Sequence, residues 1–436
     1  MSLIGVINSD ADIKVKIEKS FLKDQSKSFV LRHSSSENEA MDLLNFDLPE
    51  IVIFNASDPG LPLDSIYRAI HDDSWLHNFG IIALYDKRRT NENEVAKLFK
   101  EINLLAVMDH HAITANLYKN INIIEKNRQI IFQWEMMNTL SNRITGSFII
   151  DNDPLTVPVY AGLAATALVQ RGYLSLSNKR NLQIALAELI QNGIEHGNCE
   201  LTFEEKSKFL MEGGSIAELI SRKNQNPAIG TKKVHLEWDI RRDYTKFFVR
   251  DDGQGFDVAE YQEKLKTHRQ DALHGRGILL ARNFGGKLAY NRKGNCALLT
   301  VQHQIDASKS APMGFAGEEV LLPQKGDIIF RQGEISDHLY YISSGQYGVF
   351  HDDVAIGILT PADIFMGEMS FLLNNMRTAT VVAETAGKII KISRKTFINS
   401  IRQYPQYGLF LSKLLARKLI MNNKTTVRIR KEDFAT

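Results

Sequence analysis

Two polar residues in the middle of the chain have the spacing of a metal and phosphate site. Glu188 and Asn192 lie four residues apart in a stretch whose apolar residues recur at helical spacing, so the two share one face. An amide oxygen at Asn192, with phosphate oxygens, suits Mg²⁺, which prefers hard oxygen ligands and keeps several waters. Glu188 beside that metal could take a proton from an attacking hydroxyl as a general base. The competing interpretation is a solvated polar face on an amphipathic helix.

Two glycine-containing stretches follow in the order that an ATP site requires. Asp251 begins an Asp-Asp-Gly-Gln-Gly turn after a strand-like run. We expect its carboxylate to accept a hydrogen bond from the adenine amino group. Glycines permit positive φ angles and a close approach of the backbone to a ligand. The later Gly275-Arg-Gly stretch leads into an apolar helical run, where backbone N–H groups can face phosphate oxygens. The segment from Phe256 to Leu273 between them would form a lid. An isolated Asp-x-Gly-x-Gly pattern is more often an ordinary turn. The evidence for a nucleotide site is therefore the occurrence of all three stretches in this order.

This ordered set resembles the N, G1 and G2 boxes of the GHKL ATPase superfamily, which includes histidine kinases, DNA gyrase and anti-sigma-factor serine kinases. The run from Glu188 to Gly197 and the compact Gly275-Arg-Gly-Ile are more similar to those of the anti-sigma-factor (RsbW-like) kinases. The segment from Ala115 to Phe148 contains no histidine, which disfavours a histidine kinase. A long polar insert, Thr202 to Thr231, departs from the pattern, and its role stays open.

The resemblance implies an α/β-sandwich (Bergerat) ATPase domain over residues 149–304, closed by a strand at Ala297 to Val301. It implies MgATP as cofactor, Glu188 as the catalytic residue and Asn192 as the metal ligand. It also implies an anti-sigma-factor antagonist, or a sigma factor, as partner. The ATP-binding residues it indicates are Asn192, Asp251, Gly253, Gly255, Gly275, Arg276, Gly277 and Thr300.

The C-terminal third carries a second pair of residues suited to a nucleotide. Short apolar strands alternate with glycine turns from Gly326 onward, which predicts an antiparallel β roll. The carboxylate of Glu368 can accept from ribose hydroxyls, and the guanidinium of Arg377 can grip a cyclic phosphate through two N–H groups. The segment resembles the phosphate-binding cassette of cyclic-nucleotide-binding domains, covering about Phe315 to Asn422. The alternative is a degenerate structural module.

That resemblance implies cAMP or cGMP as the regulatory ligand. A hydroxyl residue directly after the arginine occurs both in relatives that prefer cGMP and in relatives that bind cAMP. We favour cAMP. Helices follow the roll, and the short basic tail after them leaves no room for a helix-turn-helix, so no direct DNA binding is expected. The cassette residues it indicates are Gly367, Glu368, Met369, Ser370, Arg377, Thr378 and Ala379.

The first 120 residues alternate buried strands with helices and resemble the receiver domain of response regulators. Asn8 and Ser9 stand where a receiver has its acidic pair, and Asn55 stands at its phosphoacceptor. An amide is neither a nucleophile for phosphoryl transfer nor a charged metal ligand, so we expect a pseudo-receiver used for contacts or dimerisation. Asp10 and Asp58 remain as acids that could bind an ion weakly. The predicted strands are Leu3 to Ile7, Glu50 to Phe54, Gly80 to Tyr85 and Leu104 to Met108.

Residues 121–148 are predicted to form a helical connector. Ile123, Ile130, Met137 and Ile144 repeat at heptad intervals, with Trp134 on the same flank. Such a stripe suits pairing with a second chain in a homodimer, and packing on the chain's own domains explains it equally well.

Composition sets the limits of this interpretation. A chain of 436 residues with 44% hydrophobic residues, 24% charged residues and a net charge of +2 is typical of a folded protein that is not a general nucleic-acid or membrane binder. Two cysteines make no disulfide framework, and no leader or bilayer-spanning stretch is recognised, so a cytoplasmic location is expected. We predict a multidomain protein: an α/β receiver-like domain over 1–120, a connector over 121–148, a GHKL ATPase domain over 149–304 and a β-roll cyclic-nucleotide-binding domain over 305–436.

Three classes of function follow from the sequence. The first is a cyclic-nucleotide-regulated serine/threonine kinase of the anti-sigma-factor type. The second is a binding switch that uses ATP and cyclic nucleotide without phosphotransfer. The third is a histidine-kinase-like signalling protein.

Overall fold

The computed structural model describes residues 2–22, 28–73, 76–77, 79–99, 101–127, 144–241, 243–258, 286–303, 312–373, 375–416 and 419. Within these ranges the chain forms four β-sheets with their associated helices. Every helix in these ranges is too short or too polar to span a bilayer. Gly275, Arg276 and Gly277, the predicted lid from residue 259 onward and connector residues 128–143 lie outside the described residues.

The N-terminal domain is a five-stranded parallel sheet in the order β2-β1-β3-β4-β5, which is the order of flavodoxin-like doubly wound folds. Its strands are β1 (Ser2–Ile7), β2 (Phe29–Ser34), β3 (Ile51–Asn55), β4 (Gly80–Tyr85) and β5 (Leu104–Asp109). Its helices are α1 (Ala11–Phe21), α2 (Glu37–Asp42), extended by a π-helical turn (Leu43–Asp47), α3 (Leu63–Asp72), α4 (Glu92–Leu98) and α5 (Ile113–Lys126). The four predicted strands are present. β2 was not predicted because it lies at the sheet edge and alternates half-buried with exposed residues instead of forming an apolar run.

The middle domain is a five-stranded antiparallel sheet in the order β6-β7-β8-β10-β9, with helices packed on one face. Its strands are β6 (Ile144–Ile150), β7 (Val234–Ile240), β8 (Tyr244–Asp251), β9 (Lys287–Tyr290) and β10 (Cys296–Gln302). Its helices are α6 (Val157–Gln170), α7 (Leu176–Asn192), continued by a π-helical turn (Gly193–Asn198), and the insert helices α8 (Phe203–Met211), α9 (Ile216–Lys223) and α10 (Pro227–Gly230).

Strand β6 differs from the predicted connector. It pairs with β7 over its whole length, so the sheet begins at Ile144, before the predicted domain start at residue 149. Phe148 and Ile150 are buried while Ser147 and Ile149 are exposed, which is the two-residue period of a strand. Ile144 therefore belongs to a strand and does not continue a heptad stripe from Ile123.

The C-terminal domain is a β roll of two four-stranded sheets, ordered β11-β18-β13-β16 and β12-β17-β14-β15, with antiparallel pairing throughout. Its strands are β11 (Glu319–Leu321), β12 (Ile328–Phe330), β13 (His338–Ser344), β14 (Tyr347–His351), β15 (Val354–Leu359), β16 (Phe365–Met366), β17 (Thr380–Ala383) and β18 (Lys388–Ser393). Its helices are the 3₁₀ turns Met313–Phe315 and Pro361–Asp363, α11 (Glu368–Leu372), α12 (Arg394–Gln403) and α13 (405–416).

Candidate functional site

Helix α7 presents the first pair of predicted site residues at its C-terminal end. The helix begins at Ser175, whose side chain accepts a hydrogen bond from the Asn178 N–H, and its buried apolar residues hold it against the sheet. Glu188 is half-buried and Asn192, one turn later, is exposed. The π-helical turn that follows ends at the buried Asn198, and such turns often occur at functional sites.

The turn after β8 packs directly against this helix end. A Cβ atom added to Gly197 would clash with the Asp251 carboxyl group, and one added to Gly253 would clash with the backbone carbonyl of Gly197. Gly255 has a φ of +80°, and a side chain there would meet the Lys293 carbonyl oxygen. Gly197 and Gly253 thus let the predicted N and G1 boxes touch, and Gly255 lets the turn approach the loop between β9 and β10.

Asp251 lies at the centre of this contact. Its Oδ1 accepts a hydrogen bond from the Gly253 N–H at 2.9 Å, which fixes the direction of the carboxyl group. Burial raises the pKa of Asp251, and the Gly253 N–H partly opposes that shift. A ligand that donates to this carboxylate, as an adenine amino group does, would favour its ionised form.

Thr300 does not join these residues. It pairs with Lys246 in the β8–β10 ladder, whereas the buried residues Phe247 and Leu299 next to them face the helices. Because side chains alternate across a strand, Thr300 points to the face opposite Asp251. The prediction of Thr300 as an ATP-binding residue is therefore not supported by its position, and we leave it out of the site.

Arg377 is the centre of the second candidate site, in the β roll. The residue is 3% exposed. Its Nη1 donates to the Gly367 carbonyl oxygen at 2.9 Å and to the Ser370 hydroxyl at 3.2 Å. Its Nη2 donates to the His338 carbonyl oxygen at 2.5 Å. The guanidinium also lies over the Phe330 ring, 4.3 Å from its centroid.

The Nε of Arg377 has no hydrogen-bond partner in the part of the chain that the structure describes. Its Nε is buried and makes no hydrogen bond within the described residues, a costly state for a charged group. An anionic oxygen reaching Nε would satisfy it, so the arginine fits the cyclic phosphate that the cassette pattern implies.

The other predicted cassette residues differ in exposure. Glu368 and Ser370 are buried on α11 and Ala379 is buried after the arginine, whereas Met369 and Thr378 are exposed. Gly367 has a φ of +77°, and a Cβ atom there would clash with Arg377 Nη1. The backbone at Gly367 is therefore shaped around the arginine.

The carboxyl ends of the parallel N-terminal strands hold a closed polar network. Asn55 Nδ2 donates to Asn8 Oδ1 at 2.7 Å, and the His110 ring lies 3.0 Å from Asn55 Oδ1. Asp58 accepts from the Ser9 hydroxyl at 2.7 Å and from the Gly60 N–H at 2.9 Å.

The second acid at this edge is occupied in the same way, because Asp10 caps α1 by accepting from two backbone N–H groups. Among the residues the structure describes, no cluster of three or more His, Cys, Asp and Glu side chains is arranged to hold a metal. Asp10 and Asp58 therefore both accept hydrogen bonds from neighbouring groups, and the pseudo-receiver assignment stays a prediction.

Comparison with protein families decides what the two candidate sites belong to. A family model of the histidine kinase-like ATPase domain matches residues 151–301, which contain α7 and the Asp251 turn. A model of the cyclic nucleotide-binding domain matches residues 323–404, which contain Arg377. The chain contains a histidine kinase-like ATPase domain and a cyclic nucleotide-binding domain.

Several individual relatives carry names that refer to cyclic nucleotides. The cAMP-dependent protein kinase type II regulatory subunit of Drosophila melanogaster is 43% identical over 74 residues, which are 17% of this chain and 19% of the relative. The cyclic AMP receptor protein of Thermus thermophilus is 33% identical over 128 residues, or 26% of this chain and 58% of the relative. The chain therefore spans less than two thirds of the length of these relatives.

Among solved structures, the crystal structure of the Thermus thermophilus catabolite activator protein is similar over 29% of this chain and 62% of that chain. The sequence identity is 26% and the TM-score is 0.25.

Sequence reasoning missed Asn198 and Asn152 in the ATPase domain. Asn198 is fully buried; its Oδ1 accepts from the Asp252 N–H at 2.9 Å, and its Nδ2 donates to Asn152 Oδ1 at 2.9 Å. The only sequence signal was a polar amide directly after the Glu188 to Gly197 motif. Its partner lies 46 positions away, so nothing local could reveal the contact.

Proposed function

We propose that this protein is a cyclic-nucleotide-regulated, ATP-binding signalling protein whose ATPase domain is a serine/threonine protein kinase of the anti-sigma-factor type. The observation that carries the proposal is the contact between the end of α7 and the Asp251 turn. It places the half-buried carboxylate of Asp251 against the end of the helix that carries the half-buried Glu188 and the exposed Asn192.

In this proposal MgATP binds at the end of α7. Asp251 accepts a hydrogen bond from the adenine amino group, and Asn192 contributes an oxygen ligand to Mg²⁺. Gly253 and Gly255 allow the backbone to approach the nucleotide. Gly275, Arg276 and Gly277, which lie outside the described residues, would face the phosphates.

Glu188 supplies the proton transfer. As the hydroxyl oxygen of a serine or threonine on the partner bonds to the γ-phosphorus, the bond to the β-phosphate oxygen breaks and ADP leaves. Glu188 takes the hydroxyl proton as general base. The proposed partner is an anti-sigma-factor antagonist, with a sigma factor as the second binding partner.

The cyclic nucleotide-binding domain is the regulatory input. Arg377 binds the cyclic phosphate and Glu368 accepts a hydrogen bond from the ribose hydroxyl, and Gly367, Thr378 and Ala379 add backbone or hydroxyl contacts. We propose cAMP as the preferred ligand. The N-terminal domain is proposed to be a pseudo-receiver that makes contacts without being phosphorylated, and a homodimer is proposed for the whole chain.

Two variants test the two assignments against each other. Asp251→Asn exchanges the acceptor for an amide, and we expect MgATP affinity to fall at least tenfold while cAMP affinity is unchanged. Arg377→Lys removes the fork of donors, and we expect the opposite pattern. Both affinities are measured by calorimetric titration, with the exposed Arg331→Lys as control. Wild-type protein that binds neither nucleotide would overturn the proposal.

A further inference from the structure

A chain of three asparagines connects the insert to the turn that carries Asp251. Asn198 is 0% exposed; its side chain accepts a hydrogen bond from the Asp252 N–H and donates one to Asn152, as described above. Asn152, 4% exposed, donates to Asn224 Oδ1 at 3.3 Å and to the Ile229 carbonyl oxygen at 3.0 Å. Asn224 in turn donates to the Asn152 carbonyl oxygen at 2.8 Å. Asn224 and Ile229 belong to the insert, so the hydrogen-bonded chain runs from the insert to Asp252.

Lysines reinforce this connection on both sides. Lys206 on α8 pairs with Glu195 at 2.6 Å, and Glu195 is only 2% exposed. Lys232, just after the insert, donates to the Asn198 carbonyl oxygen at 3.2 Å and pairs with Glu200 at 2.9 Å. The insert is therefore anchored to the same π-helical turn that ends at Asn198.

The position of Asp251 depends on these contacts. The Asp252 N–H belongs to the peptide that directly follows Asp251, so the hydrogen bond to Asn198 fixes the plane of that peptide. The Lys233 N–H donates a hydrogen bond to Asp252 Oδ2 at 2.9 Å. With the peptide fixed, the Gly253 N–H is aimed at Asp251 Oδ1. Loosening the asparagine chain would let the carboxylate turn.

We propose that the insert is a brace for base recognition, and that Asn198, Asn152 and Asn224 are positioning residues that hold Asp251 toward the adenine amino group. The proposal rests on the proposed function, because it requires that Asp251 contacts adenine. It gives the insert a role inside the ATP site.

Asn224→Ala tests the brace from its outer end, far from the nucleotide. The matched control is Asn226→Ala, which removes only a cap within the same insert, where Asn226 accepts from the Ala228 N–H at 3.1 Å. MgATP is compared with the magnesium complex of purine riboside 5′-triphosphate, which lacks the 6-amino group. Affinities come from calorimetric titration of the full chain, and thermal unfolding is followed in parallel.

We expect Asn224→Ala to weaken MgATP binding about three- to tenfold, while affinity for the deamino analogue changes less than about twofold. Asn226→Ala should leave both affinities unchanged even if its unfolding temperature falls.

Equal losses for both nucleotides, or a loss no greater than that of Asn226→Ala, would overturn the brace. Wild-type protein that fails to bind MgATP, or that binds both nucleotides equally, would instead show that the proposed function or the contact of Asp251 with adenine fails.

Discussion

Glu188 and Arg377 show how a side chain's surroundings determine its chemistry. The two terminal nitrogens of Arg377 donate to the carbonyl oxygens of Gly367 and His338, and its buried Nε makes no hydrogen bond among the described residues. Glu188 is half-buried on a helix held rigidly against the sheet. The residue types were evident from the sequence because both motifs have fixed spacing. Their hydrogen bonds were not, because the partners are backbone carbonyls such as that of His338, distant in the chain.

Glu188→Gln separates catalysis from binding. The amide keeps the size and polarity of the side chain but cannot accept the hydroxyl proton, so we expect MgATP affinity within about twofold of wild type and phosphotransfer lowered about 10²- to 10⁴-fold. Transfer is followed with labelled ATP and the isolated partner. Glu204→Gln, at an exposed position in the insert, is the control. Unchanged phosphotransfer would show that Glu188 is not the general base, and unchanged signalling would favour a binding switch.

Helix α7 also connects the ATPase domain to the N-terminal domain. Near the start of the helix, Lys179 Nζ donates to Asn103 Oδ1 at 2.7 Å and to the Leu104 carbonyl oxygen at 2.8 Å. Gln183 donates to the Leu105 carbonyl oxygen at 2.9 Å. The same helix therefore contacts β5 at one end and carries Glu188 at the other.

The sequence predicted this helix but not its contacts. The apolar spacing predicted the type of the element, whereas a buried lysine cannot be distinguished from a solvated lysine in the sequence. The same limit explains β6, where the two-residue alternation from Ile144 was masked by the heptad spacing of Ile123 and Ile144. It also explains the error at Thr300: the sequence predicted the strand, but it did not show which face of the sheet the Thr300 side chain occupies.

Lys179 gives the α7–β5 interface a measurable pH dependence. Burial lowers the pKa of Lys179 from 10.5 to about 7 in the folded protein. Protonation between these two values favours the unfolded state, so the contribution of Lys179 to stability rises as pH increases from about 7 toward 10.5 and is flat below about 7.

Lys179→Met removes this titration. We expect the free energy of unfolding, measured by urea denaturation, to rise less between pH 7 and pH 9 than in wild type, whatever its absolute value. The exposed Lys208→Met is the control and should keep the wild-type slope. A slope for Lys179→Met equal to that of wild type would show that the lysine does not titrate in this range.

At the scale of the whole molecule, the cyclic nucleotide-binding domain touches both other domains. On one side, Gln346 between β13 and β14 donates to the Tyr173 hydroxyl at 2.5 Å, in the turn between α6 and α7. Tyr173 also stacks on His303 with the ring centroids 3.8 Å apart. This contact lies just before the start of α7, the helix that carries Glu188 near its C-terminal end.

On the other side, the cassette connects to the N-terminal domain through aromatic residues. Phe371 on α11 packs edge-on against Phe397 on α12, with centroids 5.3 Å apart. The Tyr407 hydroxyl on α13 donates to Asp73 Oδ1 at 2.8 Å, and burial raises the pKa of Tyr407. α13 also packs with Leu48 in a shared apolar core. The cyclic nucleotide-binding domain therefore contacts both neighbouring domains. None of these contacts between domains could be predicted from the sequence, because each joins residues far apart in the chain.

The central claim is that cyclic nucleotide binding regulates the ATP site. The measurement that tests it most directly is the MgATP dissociation constant of the full-length protein, by calorimetric titration, without and with saturating cAMP and then cGMP. Coupled sites typically share about 1–3 kcal/mol, so we expect about a 5- to 150-fold change in MgATP affinity with cAMP, abolished by Arg377→Lys. MgATP binding with the same affinity in the presence of either cyclic nucleotide would contradict the account.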